Sequence, residues 1–218
     1  MPAPNLPNIP HHLPIDLDSF GFVLREKDIN GNTVKNRCGR DFLYYSLNFL
    51  FPQEFSPVAQ YPKLIEEKNI FGYRLPSYLI WTGLSFKKVP RLLSNHNLEI
   101  RINSVLINSY FDFAYSLFSS KKYSFADAIT TIKSRVDAGK IVGIDMAVNL
   151  SGLADHVMFV YGYDDENLYV FDTHQAHGIT YSKVTAPNDQ RFIMKLPFSI
   201  IEEKWKMYWN RIWEINPR

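Results

Sequence analysis

Ala154-Asp-His-Val-Met-Phe-Val-Tyr-Gly-Tyr-Asp-Asp-Glu-Asn-Leu-Tyr-Val-Phe-Asp172 reads as an antiparallel hairpin. An apolar run from Val157 to Tyr163 leads to a polar turn at Asp164 to Asn167, and Leu168 to Phe171 return. His156 opens the first strand and Asp172 closes the second, each about eight positions from the turn on neighbouring strands. Pairing of those strands sets an imidazole beside a carboxylate, which is half of a nucleophilic triad. The adjacent Asp155 points to the opposite strand face under regular alternation, and Asp164 and Asp165 belong to the turn.

The missing nucleophile has a single thiol candidate, because Cys38 is the sole cysteine of the chain. It lies in Gly31-Asn-Thr-Val-Lys-Asn-Arg-Cys-Gly-Arg-Asp-Phe-Leu-Tyr-Tyr-Ser-Leu-Asn-Phe-Leu50. This stretch is polar and loop-like as far as Gly39, then helix-compatible and apolar until Pro52 stops it. Cys38 therefore stands in or near the first helical turn, where unpaired N–H groups and the helix dipole favour a thiolate. Phe42, Tyr45 and Phe49 fall on one face and Leu43, Leu47 and Leu50 on another, so burial on most sides is expected. Taken singly, the cysteine reads as a small core hydrophobe and the histidine as a satisfied structural residue. Their chain order and the hairpin spacing together point to an active site.

These residues resemble the papain-like cysteine peptidases, in particular the bacteriocin-leader-peptidase-like branch. The likeness rests on Cys38-Gly39 at a helix start and Lys140-Ile-Val-Gly-Ile-Asp-Met146 as an intermediate strand. It rests also on His156 through Gly162-Tyr163 to Asp172, and it covers residues 31–50 and 137–173. Where the family usually has Pro after the Asp, this chain has Thr173. The resemblance implies an α+β papain-like fold, with a central Cys-bearing helix packed against an antiparallel sheet. It implies Cys38 as nucleophile, His156 as general base and acid, and Asp172 as the group that fixes the ring's tautomer. For the oxyanion hole it implies a side-chain amide at position 32, here Asn32, with Asn36 as a competing donor; the backbone N–H of Cys38 would act beside it. The implied activity is that of a cysteine peptidase or amide hydrolase, acting through a thioester on a peptide or acyl-amide substrate without a cofactor. Acyltransferase and transglutaminase-like relatives use the same triad, and a catalytically inactive binding module is the non-enzymatic alternative.

Size and composition suit one domain. The 218 residues are 46% hydrophobic and 15% aromatic, enough for a packed core. A net charge of +2 makes no case for nucleic acid or an acidic membrane surface. With one cysteine an internal disulfide is excluded, and the absence of a signal layout or a membrane-length apolar run leads us to expect a cytoplasmic protein.

Outward from these motifs, residues 1–14 form a proline-rich arm, loose or wrapped on the domain, and 15–218 the domain itself. We divide the domain into a helical part at about 15–135 and a sheet part at about 136–218. Phe20 to Leu24 is a candidate strand, Ile65 to Phe71 part of a short helix, and Leu84 to Leu93 a helix or turn. Leu98 to Asn103 alternates as a half-buried strand, and His96 before it reads as a loop residue. The aromatic run 105–118 reads as a core helix, with the wall of a substrate groove as the alternative. Ser124-Phe-Ala-Asp127 resembles a capping box, and Ala126, Ile129, Ile132 and Val136 keep a helical period up to Gly139. Ile179 to Val184 and Phe192 to Leu196 are expected strands. Residues 199–213 read as a terminal helix with Trp205, Trp209 and Trp213 in one stripe. His11 and His12 lack further ligands nearby, and a loop does not hold Asp172, His174 and His177 on one face, so no metal site is expected.

Overall fold

The computed structural model describes residues 8–23, 38–55, 89–118, 122–147, 155–172, 179–186, 189, 191–206 and 210–218. Asn32, Asn36, His174, His177 and the Ile65–Phe71 segment lie outside them. Six helices and nine strands are present among the described residues, and every strand pairing is antiparallel, so the class is α+β.

The hairpin expected from sequence forms β5 (Asp155–Tyr163) and β6 (Asn167–Phe171). Asp164 makes its turn: the carboxylate accepts the backbone N–H of Glu166 at 2.8 Å and of Asn167 at 2.7 Å. On the other side of β5 lies β4 (Val142–Ala147), and beyond that β9 (Arg211–Pro217). The sheet continues through β2 (Leu98–Ile102) to β3 (Val105–Leu106) at one edge. At the other edge β8 (Ile193–Pro197) follows β6, and β7 (Ser182–Lys183) ends the sheet.

Because β5 is central and buried, its side chains alternate between two cores. Val157, Phe159 and Tyr161 join Phe42, Leu43 and Tyr45 of α1 (Cys38–Leu50) on one side. Met158 and Val160 join Ile129, Ile132 and Val136 of α5 (Phe125–Asp137), and Ile201 of α6 (Phe198–Trp205), on the other. Helix α1 is buried continuously from Cys38 to Asn48, as its apolar faces require. Its height above the sheet is set by Gly143: a Cβ there would stand 2.6 Å from the Phe42 ring, which is itself enclosed by Phe159 and Trp213.

Smaller helices complete the described chain: α2 (Pro52–Phe55), α3 (Val89–Asn95) and α4 (Tyr110–Phe118). The described part of the N-terminal arm, from residue 8, lies on the domain. Its β1 (His11–His12) pairs with Tyr163 and Gly162 of β5, and Ile9, Leu13 and Ile15 are buried. His11 stacks on Tyr163, and both side chains meet the Asp137 carboxylate. The Ser124 hydroxyl caps α5 by accepting the N–H of Asp127, and Gly139 closes that helix at φ +65, where a side chain would be strained.

Several expectations are corrected. Residues 199–213 are not one helix: α6 stops at Trp205, and Trp213 is fully buried in β9. A spacing of four residues is one helical turn but also an even number of strand steps, so the tryptophan stripe could not separate the two. The run 105–118 starts as β3, because Asn103 and Ser104, with φ 46 and 70, turn β2 back on itself before α4 begins. Within α4, Phe113 is buried whereas Phe111 and Tyr115 are exposed. Phe20 to Val23 form no strand; Phe20 and Phe22 pack instead on Tyr45 and Phe171. The strand expected at 179–184 shrinks to Ser182–Lys183, and Ala128 rather than Ala126 faces the core. The sheet also takes β2 and β3 from the stretch assigned to the helical part, so the chain does not divide cleanly at about residue 135.

Near the middle of the sheet the Asp145 carboxylate accepts Nε of Arg211 at 2.9 Å and Nε1 of Trp213 at 2.8 Å, joining β4 to β9. Arg211 and Asp145 are both almost wholly buried. Asp145→Ala removes a partner from a buried guanidinium and is expected to cost about 3–5 kcal/mol in chemical denaturation. Gly143→Ala forces Phe42 away from the sheet, with an expected loss of about 1–3 kcal/mol by the same measurement. A neutral result for Gly143→Ala would show that α1 is not seated by this contact.

Candidate active site

The start of α1, the start of β5 and the end of β6 all come to one end of the sheet. Cys38 is the first residue of α1, His156 the second of β5, and Asp172 follows the last residue of β6. The β5–β6 register pairs Val160 with Val170 and Phe159 with Phe171. One further step sets Met158 beside Asp172, so His156, two residues earlier, meets Asp172 diagonally on the same strand face. Opposite His156 on the other side is Met146 of β4.

His156 Nε2 lies 2.9 Å from Asp172 Oδ2. The ring N–H is not well directed at that oxygen, and Nε2 has no geometrically ideal hydrogen bond. The short distance decides the matter, since attraction between opposite charges depends on separation more than on angle. Cys38 lies within hydrogen-bonding reach of the same ring. With Nε2 turned to the carboxylate, Nδ1 is the nitrogen left to face the sulfur. Cys38 belongs to the core on the α1 side, whereas His156 has the strand parity of Met158. The two meet because each stands where the sheet ends.

All three groups are enclosed: Cys38 and His156 are 7% exposed and Asp172 is 4% exposed. Burial acts most strongly on the imidazole and favours its neutral form, but the Asp172 carboxylate and the Cys38 side chain together outweigh it. The net effect holds the ring's pKa well above the ordinary 6.5. Asp172 has another donor that the sequence did not reveal: the hydroxyl of Tyr181 donates to Oδ2, the oxygen that faces His156. No local motif marks Tyr181. The sole signal was physical, in that a buried carboxylate needs several donors.

Asn32 and Asn36 lie outside the described residues, as do His174 and His177. Among the described residues no three His, Cys, Asp or Glu side chains gather to hold a metal ion. His11 and His12 are taken up by Asp137, Tyr163, Tyr161 and the Leu13 carbonyl. His96 follows α3, where its Nδ1 meets the Leu92 carbonyl and its Nε2 the Glu54 carboxylate. A cavity of about 190 Å³ between the arm and the sheet is lined by Ile9, His12, Leu17 and Tyr161, among others, and includes none of the three converging residues. No helix among the described residues is long and apolar enough to cross a membrane.

A raised imidazole pKa has a definite consequence for folding. The His156–Asp172 pair contributes its full stability below pH 6.5 and loses it as pH rises through the higher folded-state value. In an NMR titration the His156 ring is expected to change charge above pH 6.5, and Asp172→Asn should bring that midpoint down. A wild-type midpoint at or below 6.5 contradicts the ion pair.

Comparison with protein-family models, curated proteins and solved structures finds no match to this chain.

Proposed function

We propose that the protein is a thiol-dependent amide hydrolase of papain-like type, acting on a peptide or acyl-amide bond. One observation carries the reading: sulfur, imidazole and carboxylate lie in sequence at the sheet end, in the order that nucleophilic catalysis needs. An isolated buried cysteine packs as a small hydrophobe, but a cysteine touching a ring that in turn touches a carboxylate has the parts of an activated nucleophile.

In this scheme the Cys38 thiol has already passed its proton to His156, giving thiolate and imidazolium, and Sγ attacks the carbonyl carbon. The tetrahedral oxyanion is received by the N–H of Cys38, unpaired within the helix because it lies in the first turn. Asn32 is our proposal for the second donor. As the C–N bond breaks, the imidazolium gives its proton to the leaving amine and a thioester remains. Water then attacks the thioester with His156 as base, which releases the acid and restores the thiol. Asp172 stays ionised throughout and holds the ring. Such a cycle needs no cofactor.

Reaction with iodoacetamide at pH 6 tests the nucleophile directly. His156→Ala is expected to slow alkylation of Cys38 by about a hundredfold, the low end of what a positioned base contributes. Cys38→Ala should abolish release of acid from an acyl-amide panel while circular dichroism stays unchanged. Acid release that survives Cys38→Ala overturns the proposal, and conjugate formed with an added amine would reassign the second step to acyl transfer.

A further inference from the structure

Asp172 stands just beyond the last residue of β6, and its N–H donates to the Phe192 carbonyl at 3.0 Å. That bond ties down its backbone but not its carboxylate, since the last torsion of an aspartate is broad and roughly two-fold. A carboxylate that turns moves its oxygen away from the ring. Something must therefore set the rotation if His156 is to keep its orientation.

Tyr181 is placed for this. It precedes β7 and is buried in the core on the α5 side, with Ile179, Met194 and Leu196. A tyrosine in that position could be wholly apolar in purpose. Its hydroxyl instead donates to Asp172 Oδ2, the oxygen 2.9 Å from His156 Nε2. The ring of Tyr181 is fixed by its packing, so its donor is fixed too.

We propose that Tyr181 is a positioning residue of the site, holding the Asp172 carboxylate turned toward His156. The proposal rests on Cys38 being the nucleophile, and it adds a fourth side chain acting through Asp172. The phenol makes no contact with the reacting atoms in this scheme. Its effect is to keep the imidazole aligned, with Nε2 on the carboxylate and Nδ1 toward the sulfur. A hydrogen bond to a charged acceptor is strong enough for its loss to change rates by about tenfold.

The experiment compares wild type, Tyr181→Phe, Asp172→Asn and His156→Ala by iodoacetamide alkylation at pH 6 and by NMR titration of the His156 ring. Tyr181→Phe removes one oxygen and leaves the apolar packing in place. It is expected to slow alkylation about tenfold and to move the ring midpoint down toward 6.5, in the direction of Asp172→Asn. A midpoint that is unchanged or moves upward overturns the proposal, because a purely structural tyrosine would not move it. An upward shift would mean that the phenol only draws charge from the carboxylate. His156→Ala separates the two levels: slow alkylation there with a normal Tyr181→Phe rejects Tyr181 alone, whereas fast alkylation there rejects the nucleophile reading and this inference with it. Should Tyr181→Phe fail to fold, Tyr181→Met, a flexible apolar side chain without the hydroxyl, carries the test. The same tenfold slowing and downward midpoint are then expected, and a wild-type rate with an unchanged midpoint overturns the proposal.

Discussion

The close approach of Phe42 to Gly143 is the contact on which the rest is arranged. A helix normally stands off a sheet by the length of its side chains, and here one ring fills the gap where β4 has no side chain at all. Phe42 is then confined between Phe159 and Trp213, so α1 can neither slide along β5 nor rotate without losing that packing. Cys38 lies four residues before Phe42, about one helical turn. The place of the sulfur is thus decided by a contact in the core rather than by anything in its own neighbourhood.

Two buried ion pairs flank this packing and differ in kind. Asp145 and Arg211 sit within paired strands, with Trp213 as a further donor, and they join β4 to β9 where the sheet is covered on both faces. Such a pair is expensive to break and gains little over apolar packing. His156 and Asp172 sit at the sheet end, beside Cys38. There the same low-dielectric surroundings that penalise a lone charge strengthen the attraction within the pair, and the pair wins.

The arm adds a constraint on β5 itself. Gly162 lets the His11 backbone come so close that a Cβ would lie 2.4 Å from its carbonyl oxygen. The β5–β6 register shifts between Val160 and Gly162, beside the place where β1 lies against β5. From Gly162 toward the turn, β5 is therefore gripped by β1 and β6, while its start, paired with β4, carries His156 to the end of the sheet.

How far the chain could be read follows from the range of the interactions concerned. The hairpin, the Ser124 cap, the Gly139 stop and the helix beginning at Cys38 are local, and each was legible because its cause lies within a few residues. The alternation in 156–171 also determined that the imidazole and the carboxylate would stand near each other. Tertiary structure decided the remainder. Ile212 and Trp213 become strand because β4 and β2 offer paired hydrogen bonds and two cores to fill, a preference no window of residues 199–213 contains. Likewise the meeting of Cys38 with His156, and of Tyr181 with Asp172, spans stretches whose separation only packing can close. Local order is written in torsions and spacing, whereas the convergence of distant side chains depends on how whole elements exclude water from one another.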